Sequence, residues 1–242
     1  MKNLPTEPRT PRTLLGTLVP GGVCVAEAFH DDEPAPLYPE EEAAVAGADP
    51  GRRREFATAR ACARRALGEL GLPPGPVPRS LSRAPRWPDG VLGSLTHCTG
   101  YRGAAVARAS AFTSLGIDAE RHAPLRAGVL ELVAGPAERA RLARLAEADP
   151  AVAWDRLLCC AKEAAYKAWY PIGGRWLGFL DADADLTEDR ADQGLDRRGA
   201  FTVVAGGLTF AGRWLAHDGL LLAAVATSSS PVLDREGHRT PG

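Results

Sequence analysis

The sequence predicts an α+β fold in which two similar strand–helix–strand halves, related by a pseudo-twofold axis, form one compact monomer. Two observations support this prediction. An Asp–Pro pair suited to begin a helix occurs at Asp49–Pro50 and again at Asp149–Pro150, and strand patterns follow both helical segments. The division falls near 110–115, so we place the halves at residues 1–112 and 113–242.

The composition is typical of an ordinary globular protein. The chain has 242 residues, is 45% hydrophobic and 24% charged, and carries a net charge of −1. This balance argues against a uniformly basic nucleic-acid binder, whereas arginines clustered at 52–65 and 79–86 favour a local anion site.

Three further patterns bear on the cellular compartment. The chain has no apolar run long enough to span a bilayer, and its N-terminal residues are too polar and proline-rich for a secretory signal. Its five cysteines lack the spacing of a zinc site, which favours reduced thiols. We expect a cytoplasmic protein with no membrane or nucleic-acid partner.

The first half is predicted to begin with two strands over 13–29, turning at Gly21–Gly22. A helix follows over 48–71, because Asp49 suits its N-cap and Gly71 its end. Four apolar residues would form its buried stripe, namely Phe56, Ala63, Leu67 and Leu70. A loop over 72–93 and a strand over 101–109 complete this half, and the strand predicted over 112–120 begins the second half.

The second half is predicted to repeat the order of strand, helix and strand. Its helices cover 125–133, 136–148 and 151–169, and its later strands cover 200–206, 208–216 and 220–228. The polar ends of the chain, 1–12 and 228–242, are expected to be loose arms.

Two carboxylates stand two residues apart in the stretch "GIDAE". Asp118 and Glu120 would share one face of a strand and could aim at the same point. Carboxylates this close favour a cation between them, and Mg²⁺ prefers such oxygen ligands. The alternative is a pair of solvated acids on an outward face.

A second acid lies in "AKEAAYKAW", on the longest helix of the second half. Glu163 and Lys167 are four residues apart in the order that favours a simple surface pair. However, this helix carries apolar residues on nearly all of its faces, so it is expected to be buried. A buried Glu needs a partner or a metal.

The arginines of the first helix suggest an anion clamp. Arg53 and Arg60 are seven residues apart on one face, and Arg52 lies in the first turn, where the helix dipole favours anions. A solvated basic face is the alternative, for which Arg64 and Arg65 are candidates.

His97 follows a predicted Gly–Ser–Leu–Thr turn and could donate to phosphate, as could Thr96, although a lone His is more often structural. The "DADAD" stretch (181–185) is rejected as a calcium loop, because Leu186 stands where a sharp-turn Gly is needed.

Taken together and in this order, "RRREFATARACARRAL", "WPDGVLGSLTHCTGYRGA", "GIDAE" and "AKEAAYKAWYP" resemble the 4′-phosphopantetheinyl transferase superfamily. The likeness covers roughly residues 37–181 and is strongest to the monomeric type that activates nonribosomal peptide and polyketide synthases, in its enterobactin-type and actinobacterial branch. The resemblance implies transfer of 4′-phosphopantetheine from coenzyme A to a serine of apo acyl or peptidyl carrier proteins, with Mg²⁺ or, as a substitute, Mn²⁺.

The resemblance also implies a role for each matching residue. Asp118, Glu120 and Glu163 correspond to the metal ligands, with Glu163 and Lys167 as the catalytic pair. The residues expected to contact coenzyme A are Arg52, Arg60, Thr96, His97, Asp118, Lys162, Glu163 and Lys167. The family also has a basic residue upstream of the Trp–Pro pair, and both Arg79 and Arg83 qualify.

Two other functions are left open by the residues. The chain could be a non-catalytic paralogue that binds coenzyme A or a carrier protein, although the presence of all three acids and Lys167 argues against this. It could also be a thiol hydrolase using Cys98 and His97, but neighbouring residues on a strand point to opposite faces.

Overall fold

The computed structural model describes residues 13–31, 36–80, 82–189 and 196–229, so both predicted loose arms lie almost entirely outside the described residues. Over these residues the chain forms five α-helices and two antiparallel sheets, which confirms the α+β class. The helices are α1 (Pro39–Glu42), α2 (Pro50–Glu69), α3 (Leu130–Val133), α4 (Pro136–Ala148) and α5 (Trp154–Gly173). Among the described helices, none is both long and apolar enough to cross a membrane.

The eight strands of the described ranges divide between the sheets by position in the chain. They are β1 (Val23–Ala28), β2 (Val91–Cys98), β3 (Tyr101–Arg108), β4 (Phe112–Arg121), β5 (Ala182–Glu188), β6 (Arg197–Ala205), β7 (Leu208–His217) and β8 (Leu220–Ser228). The first sheet has the order β1-β3-β2, and the second has the order β4-β8-β7-β6-β5.

Three apolar clusters define the layers of the molecule. α2 packs against one face of β3 through Ala63 and Val106, while Ala105, on the opposite face, joins a cluster with Ile117 and Leu222 of the second sheet. α5 covers the other face of the second sheet. The order of layers is therefore α2, first sheet, second sheet, α5.

α2 forms as its sequence predicts. Asp49 caps it by accepting the Arg52 backbone N–H at 3.0 Å, Pro50 occupies the first position, and Gly71 beyond its end has a φ of +79°. Of the predicted stripe, Phe56, Ala63 and Leu67 are buried and Leu70 is partly buried against the same cluster.

The first strand predicted over 13–29 is wrong. Leu15–Thr17 form a 3₁₀ turn, and only the second predicted strand, β1, is present. The cause is Glu27 of β1, whose carboxylate accepts the backbone N–H groups of Leu14 and Leu15 at 2.8 and 2.7 Å. A side chain therefore takes the hydrogen bonds that a strand partner would supply.

The predicted helix start at Asp149–Pro150 is also wrong. α5 begins at Trp154, and Asp149 instead ends α4. Its carboxylate accepts the Ala151 N–H at 2.9 Å and Arg197 Nε at 2.6 Å, so a long-range ion pair competes with the capping role.

Three smaller corrections concern strands and a helix. The helix predicted over 125–133 is shorter than expected, because within that range only α3 (Leu130–Val133) is helical. The predicted loop over 72–93 ends earlier, because β2 begins at Val91, and the residues before His97 are therefore strand rather than turn. β5 was not expected from the sequence; it pairs with β6 in register Ala184↔Val203.

β4 is the strand that joins the two halves. Gly116 lets it touch α5 directly, because a Cβ at that position would lie 2.0 Å from the Ala164 carbonyl oxygen. On its other side β4 is the edge of the second sheet, and hydroxyls of β2 satisfy its outward N–H groups. Ser94 Oγ accepts from Ile117 at 3.0 Å, and Thr96 Oγ1 accepts from Ala119 at 2.8 Å.

We expect Ser94→Ala to destabilise the protein by about 1–3 kcal/mol, because it leaves the buried Ile117 N–H without an acceptor. Urea unfolding followed by circular dichroism measures this change, with Ser82→Ala, at an exposed position, as the control. A Ser94→Ala protein as stable as the control would contradict the role of this hydroxyl.

Candidate active site

A cleft of about 810 Å³ opens where β2, β4 and α5 meet. Among the residues that line it are six that the sequence singled out, namely Thr96, His97, Asp118, Glu120, Glu163 and Lys167. Residues from both halves of the chain therefore contribute to the same cleft.

Asp118 lines the cleft and is nearly fully buried. Its Oδ1 accepts from Lys167 Nζ at 2.7 Å and from Thr96 Oγ1 at 3.2 Å. Its Oδ2 is buried without a hydrogen-bond partner among the described residues. A buried carboxylate oxygen without a partner is costly, so this atom is suited to bind a cation or donor that enters the cleft.

Glu120 is half-buried on the same face of β4. Its Oε2 lies 3.4 Å from Nη1 of Arg156, whose Nε donates to the Ala123 carbonyl at 3.3 Å. Burial and the negative charge of Asp118 raise the pKa of Glu120, although Arg156 and Lys167 oppose this shift.

Glu163 and Lys167 do not form the simple surface pair that their spacing allows. Lys167 Nζ binds Asp118 and donates to the Ile117 carbonyl at 3.0 Å, so this lysine joins α5 to β4. Burial alone would lower the pKa of Lys167, but Asp118 and Glu163 outweigh it and raise the pKa.

The carboxylate of Glu163 faces the same negative environment. Burial, followed by the charge of Asp118, raises the pKa of Glu163, and Lys167 only partly compensates. A carboxylate with a raised pKa is a better proton acceptor than an ordinary surface Glu.

No set of three or more Asp, Glu, His or Cys side chains within the described ranges is arranged closely enough to hold a metal ion as the side chains stand. The donor set nevertheless suits a hard cation. Three carboxylates line one cleft, one of their oxygens lacks a partner, and two have pKa values raised in part by mutual repulsion.

A cluster of arginines lies beside this cleft, at the N-terminal half of α2 and the following loop. Arg60 is only 4% exposed; its Nε donates to the Val77 carbonyl at 2.6 Å, and its guanidinium lies 4.0 Å from the centre of the Phe56 ring. Arg79 contacts the same ring at 5.3 Å.

Burial and repulsion between neighbouring arginines lower the pKa values of two residues in this cluster. Burial lowers the pKa of Arg60 to about 10, and among its neighbours Arg79, Arg64 and Arg52 lower it while Glu41 raises it. Burial also lowers the pKa of Arg79, helped by Arg52 and Arg83. The sequence left open whether Arg79 or Arg83 belongs to the clamp; Arg79 shares Phe56 with Arg60, whereas Arg83 occupies a turn with a φ of +70°.

Arg53 does not join the clamp that its spacing from Arg60 suggested. Its guanidinium pairs with Glu42 at 2.5 Å on the exposed side of α2. Arg64 was a candidate for the alternative, a solvated basic face, but it is bound to the buried carboxylate of Glu41 at 3.1 Å.

Thr96 and His97 link the carboxylates to the arginines. Because successive side chains of a strand alternate, Thr96 reaches Asp118 while His97 contacts Arg52 through its Nε2. Burial, followed by the charge of Arg52, lowers the pKa of His97.

Lys162 lies apart from these residues and is almost fully buried. Its Nζ is held by the Val133 and Phe179 carbonyls, each at 2.9 Å, and by Glu138 at 2.8 Å. It lines an adjoining pocket of about 390 Å³ together with Tyr166 and Trp176. A contact between Lys162 and coenzyme A stays a prediction.

Sequence reasoning missed Arg156, which lies in the cleft beside Glu120, and Glu138, which holds Lys162. Arg156 precedes Glu163 by seven residues, the spacing that places two residues on one helix face, so this signal was present. Glu138 belongs to another helix, and no sequence spacing indicates its contact with Lys162.

Comparison with known proteins gives two family matches. Residues 40–107 match the 4′-phosphopantetheinyl transferase N-terminal domain, and residues 114–212 match the 4′-phosphopantetheinyl transferase superfamily. The chain is 48% identical to the 4′-phosphopantetheinyl transferase Svp of Streptomyces mobaraensis, over 89% of this chain and 90% of that protein. It is 46% identical to Npt of Nocardia iowensis (88% and 99% covered) and 44% identical to PptT of Mycobacterium tuberculosis (88% and 97% covered), both 4′-phosphopantetheinyl transferases.

We expect Arg52→Ala to raise the pKa of His97 but to leave it below the ordinary value of about 6.5, because burial remains. Titration of the His97 ring protons by NMR measures this, with Arg53→Ala as the control. Since the folded-state pKa is lowered, the unfolded chain takes up a proton first as the pH falls, and His97 lowers stability below about pH 6.5. An unchanged pKa in Arg52→Ala would contradict the contact.

Proposed function

The chain belongs to the 4′-phosphopantetheinyl transferase superfamily, and from this premise we propose which of its residues carry out the transfer. It is a transferase that moves the 4′-phosphopantetheine group from coenzyme A to carrier proteins. The observation that supports our assignment most directly is one cleft that carboxylates of the second half share with His97 of the first half, which in turn contacts Arg52 of the arginine cluster.

Coenzyme A carries a 3′-phosphate and a pyrophosphate, which need different surroundings. We assign its 3′-phosphate to Arg52, Arg60 and His97, with Arg79 rather than Arg83 as the loop contact, because Arg79 shares the Phe56 ring with Arg60. Burial, followed by repulsion from neighbouring arginines, lowers the pKa values of both Arg60 and Arg79. An anion between these guanidiniums would relieve that repulsion. The pyrophosphate would then extend past Thr96 towards Asp118.

The carboxylates of Asp118, Glu120 and Glu163 would hold Mg²⁺, or Mn²⁺ in its place. The donor chemistry and the unpartnered Oδ2 of Asp118 support this assignment. The ion would supply positive charge that stabilises the pyrophosphate during reaction.

The protein side chains then have two tasks in the transfer. A serine hydroxyl of the apo carrier protein forms a bond to the β-phosphorus as the bond to the departing 3′,5′-ADP breaks, and the serine proton passes to Glu163, directly or through a water. Lys167 stabilises the charge that develops on the leaving 3′,5′-ADP. Positioning and electrostatics carry most of the acceleration in such transfers.

The thiol-hydrolase alternative fits the structure poorly. Burial, together with Glu120 and Asp118, raises the pKa of Cys98 to about 11, so the thiol stays protonated at neutral pH. Cys98 and His97 are also neighbours on β2 and face opposite sides.

The organisation of the chain is part of the proposal. We assign the coenzyme A clamp to residues 1–112 and the metal site and catalytic helix to 113–242. Each half places one 20-residue helix against one sheet, which supports an origin by duplication and a pseudo-twofold arrangement. We further propose a monomer in the cytoplasm that serves carriers of nonribosomal peptide and polyketide synthesis, without nucleic-acid or membrane partners.

Incubation of the purified protein with coenzyme A, Mg²⁺ and a panel of apo carrier domains tests this function. Mass spectrometry should show that a carrier gains one 4′-phosphopantetheine group. No gain on any carrier, with coenzyme A still bound, would favour the non-catalytic paralogue.

We expect Glu163→Gln to lower the rate of this transfer by at least about a hundredfold, the usual scale for loss of a general base, while coenzyme A still binds. Glu147→Gln, at an exposed position of α4, is the matched control. A folded Glu163→Gln protein that transfers at a near-normal rate would contradict the assignment.

Arg60→Ala should weaken binding of coenzyme A far more than binding of 3′-dephospho-coenzyme A, because a clamp on the 3′-phosphate matters only when that phosphate exists. Calorimetric titration measures both affinities, and Arg60→Lys keeps a positive charge if the alanine variant folds poorly. Equal losses for the two ligands would place Arg60 outside the phosphate pocket.

A further inference from the structure

Glu55 is an acidic residue at the edge of the arginine cluster, where an anion is expected to bind. Its Oε2 accepts from Arg52 Nη1 at 3.0 Å, one turn earlier on α2, and its Oε1 lies 3.3 Å from Arg102 Nη2. The same Arg52 nitrogen contacts Nε2 of His97. Both carboxylate oxygens of Glu55 are therefore committed to arginines.

Arg102 provides a fixed anchor for this carboxylate. Its side chain is only 6% exposed, and it donates to the carbonyls of Cys98 and Tyr101 and to Asp31 at 2.7 Å. By contrast, the side chains of Arg52 and Glu55 are 36% and 33% exposed. Contacts thus run from the buried Arg102 through Glu55 to Arg52, whose long side chain would otherwise sample many rotamers.

Charge alone would make Glu55 unfavourable here. A carboxylate next to an anion pocket repels the anion, so removing it should tighten phosphate binding if electrostatics were its main effect. The orienting effect of Glu55 on phosphate affinity has the opposite sign. An arginine that is already fixed in position loses less conformational entropy when it binds phosphate, so removing Glu55 should weaken binding. The two effects can therefore be separated by the direction of one measurement.

We propose that Glu55 is a positioning residue that fixes the Arg52 guanidinium towards His97 and the 3′-phosphate of coenzyme A. This proposal rests on the proposed function, since it takes the arginine cluster as the 3′-phosphate pocket. Glu55 acts through Arg52 and does not itself touch the substrate.

Calorimetric titration of the full-length protein with coenzyme A and with 3′-dephospho-coenzyme A tests this role. Glu55→Ala should weaken coenzyme A binding by about tenfold, the scale of a lost charge-assisted hydrogen bond, and leave the dephospho ligand unaffected. Glu55→Gln keeps an acceptor and should lose less. In an Arg52→Ala background, Glu55→Ala should cause no further loss, because the residue through which it acts is gone.

Glu42→Ala is the matched control, because it removes the carboxylate from the neighbouring Arg53 pair on the exposed side of the helix. Tighter or unchanged coenzyme A binding by Glu55→Ala, or an equal loss for both ligands, would overturn the proposal. Additive losses in the double variant would do the same. A wild-type protein that binds both ligands equally would overturn the phosphate pocket as well, which distinguishes failure of the function from failure of Glu55 alone.

Discussion

The geometry of the cleft depends on the two hydrogen bonds of the Thr96 hydroxyl. This hydroxyl accepts the Ala119 N–H from the edge of the second sheet and donates to Asp118, so one atom joins the two sheets and orients the most buried of the three carboxylates. β4 also touches the α5 backbone at Gly116, and Lys167 of α5 binds Asp118 of β4, so these contacts fix the strand and the helix relative to each other. The packing of the two halves and the spacing of the charged groups are thus set by the same strand.

Two groups of like charge lie side by side in the structure. Burial, followed by repulsion among the arginines, lowers the pKa values of Arg60 and Arg79. Burial, followed by repulsion among the carboxylates, raises the pKa values of Glu120 and Glu163. Both arrangements cost stability in the protein alone, and such costs are typical of functional sites. A ligand that brings a phosphate to one group and a metal ion to the other would relieve both.

Much of this organisation could be predicted from local sequence. The capped helix α2, the acidic pair on β4 and the buried helix α5 each have a pattern that short-range physics explains. The predictions that were wrong are those in which a side chain distant in sequence takes a hydrogen bond that the local pattern assigns elsewhere. Glu27 replaces a strand partner for Leu14 and Leu15, and Arg197 binds the carboxylate of Asp149 that was expected to cap a helix. The partner of Lys167 also lies on another element, since spacing suggested Glu163 and the fold supplies Asp118. Arg102, which holds Glu55, is likewise brought close only by the fold.

The central claim is that one molecule of coenzyme A spans both halves of the chain, with its 3′-phosphate on the arginines and its pyrophosphate beside the carboxylates. A crystal structure of the protein with coenzyme A and Mn²⁺, using the anomalous signal of manganese to locate the ion, tests this most directly. We expect the 3′-phosphate to contact Arg52, Arg60 and His97, and the manganese peak to lie among Asp118, Glu120 and Glu163. A 3′-phosphate bound away from these arginines, or a manganese peak outside the three carboxylates, would contradict the claim.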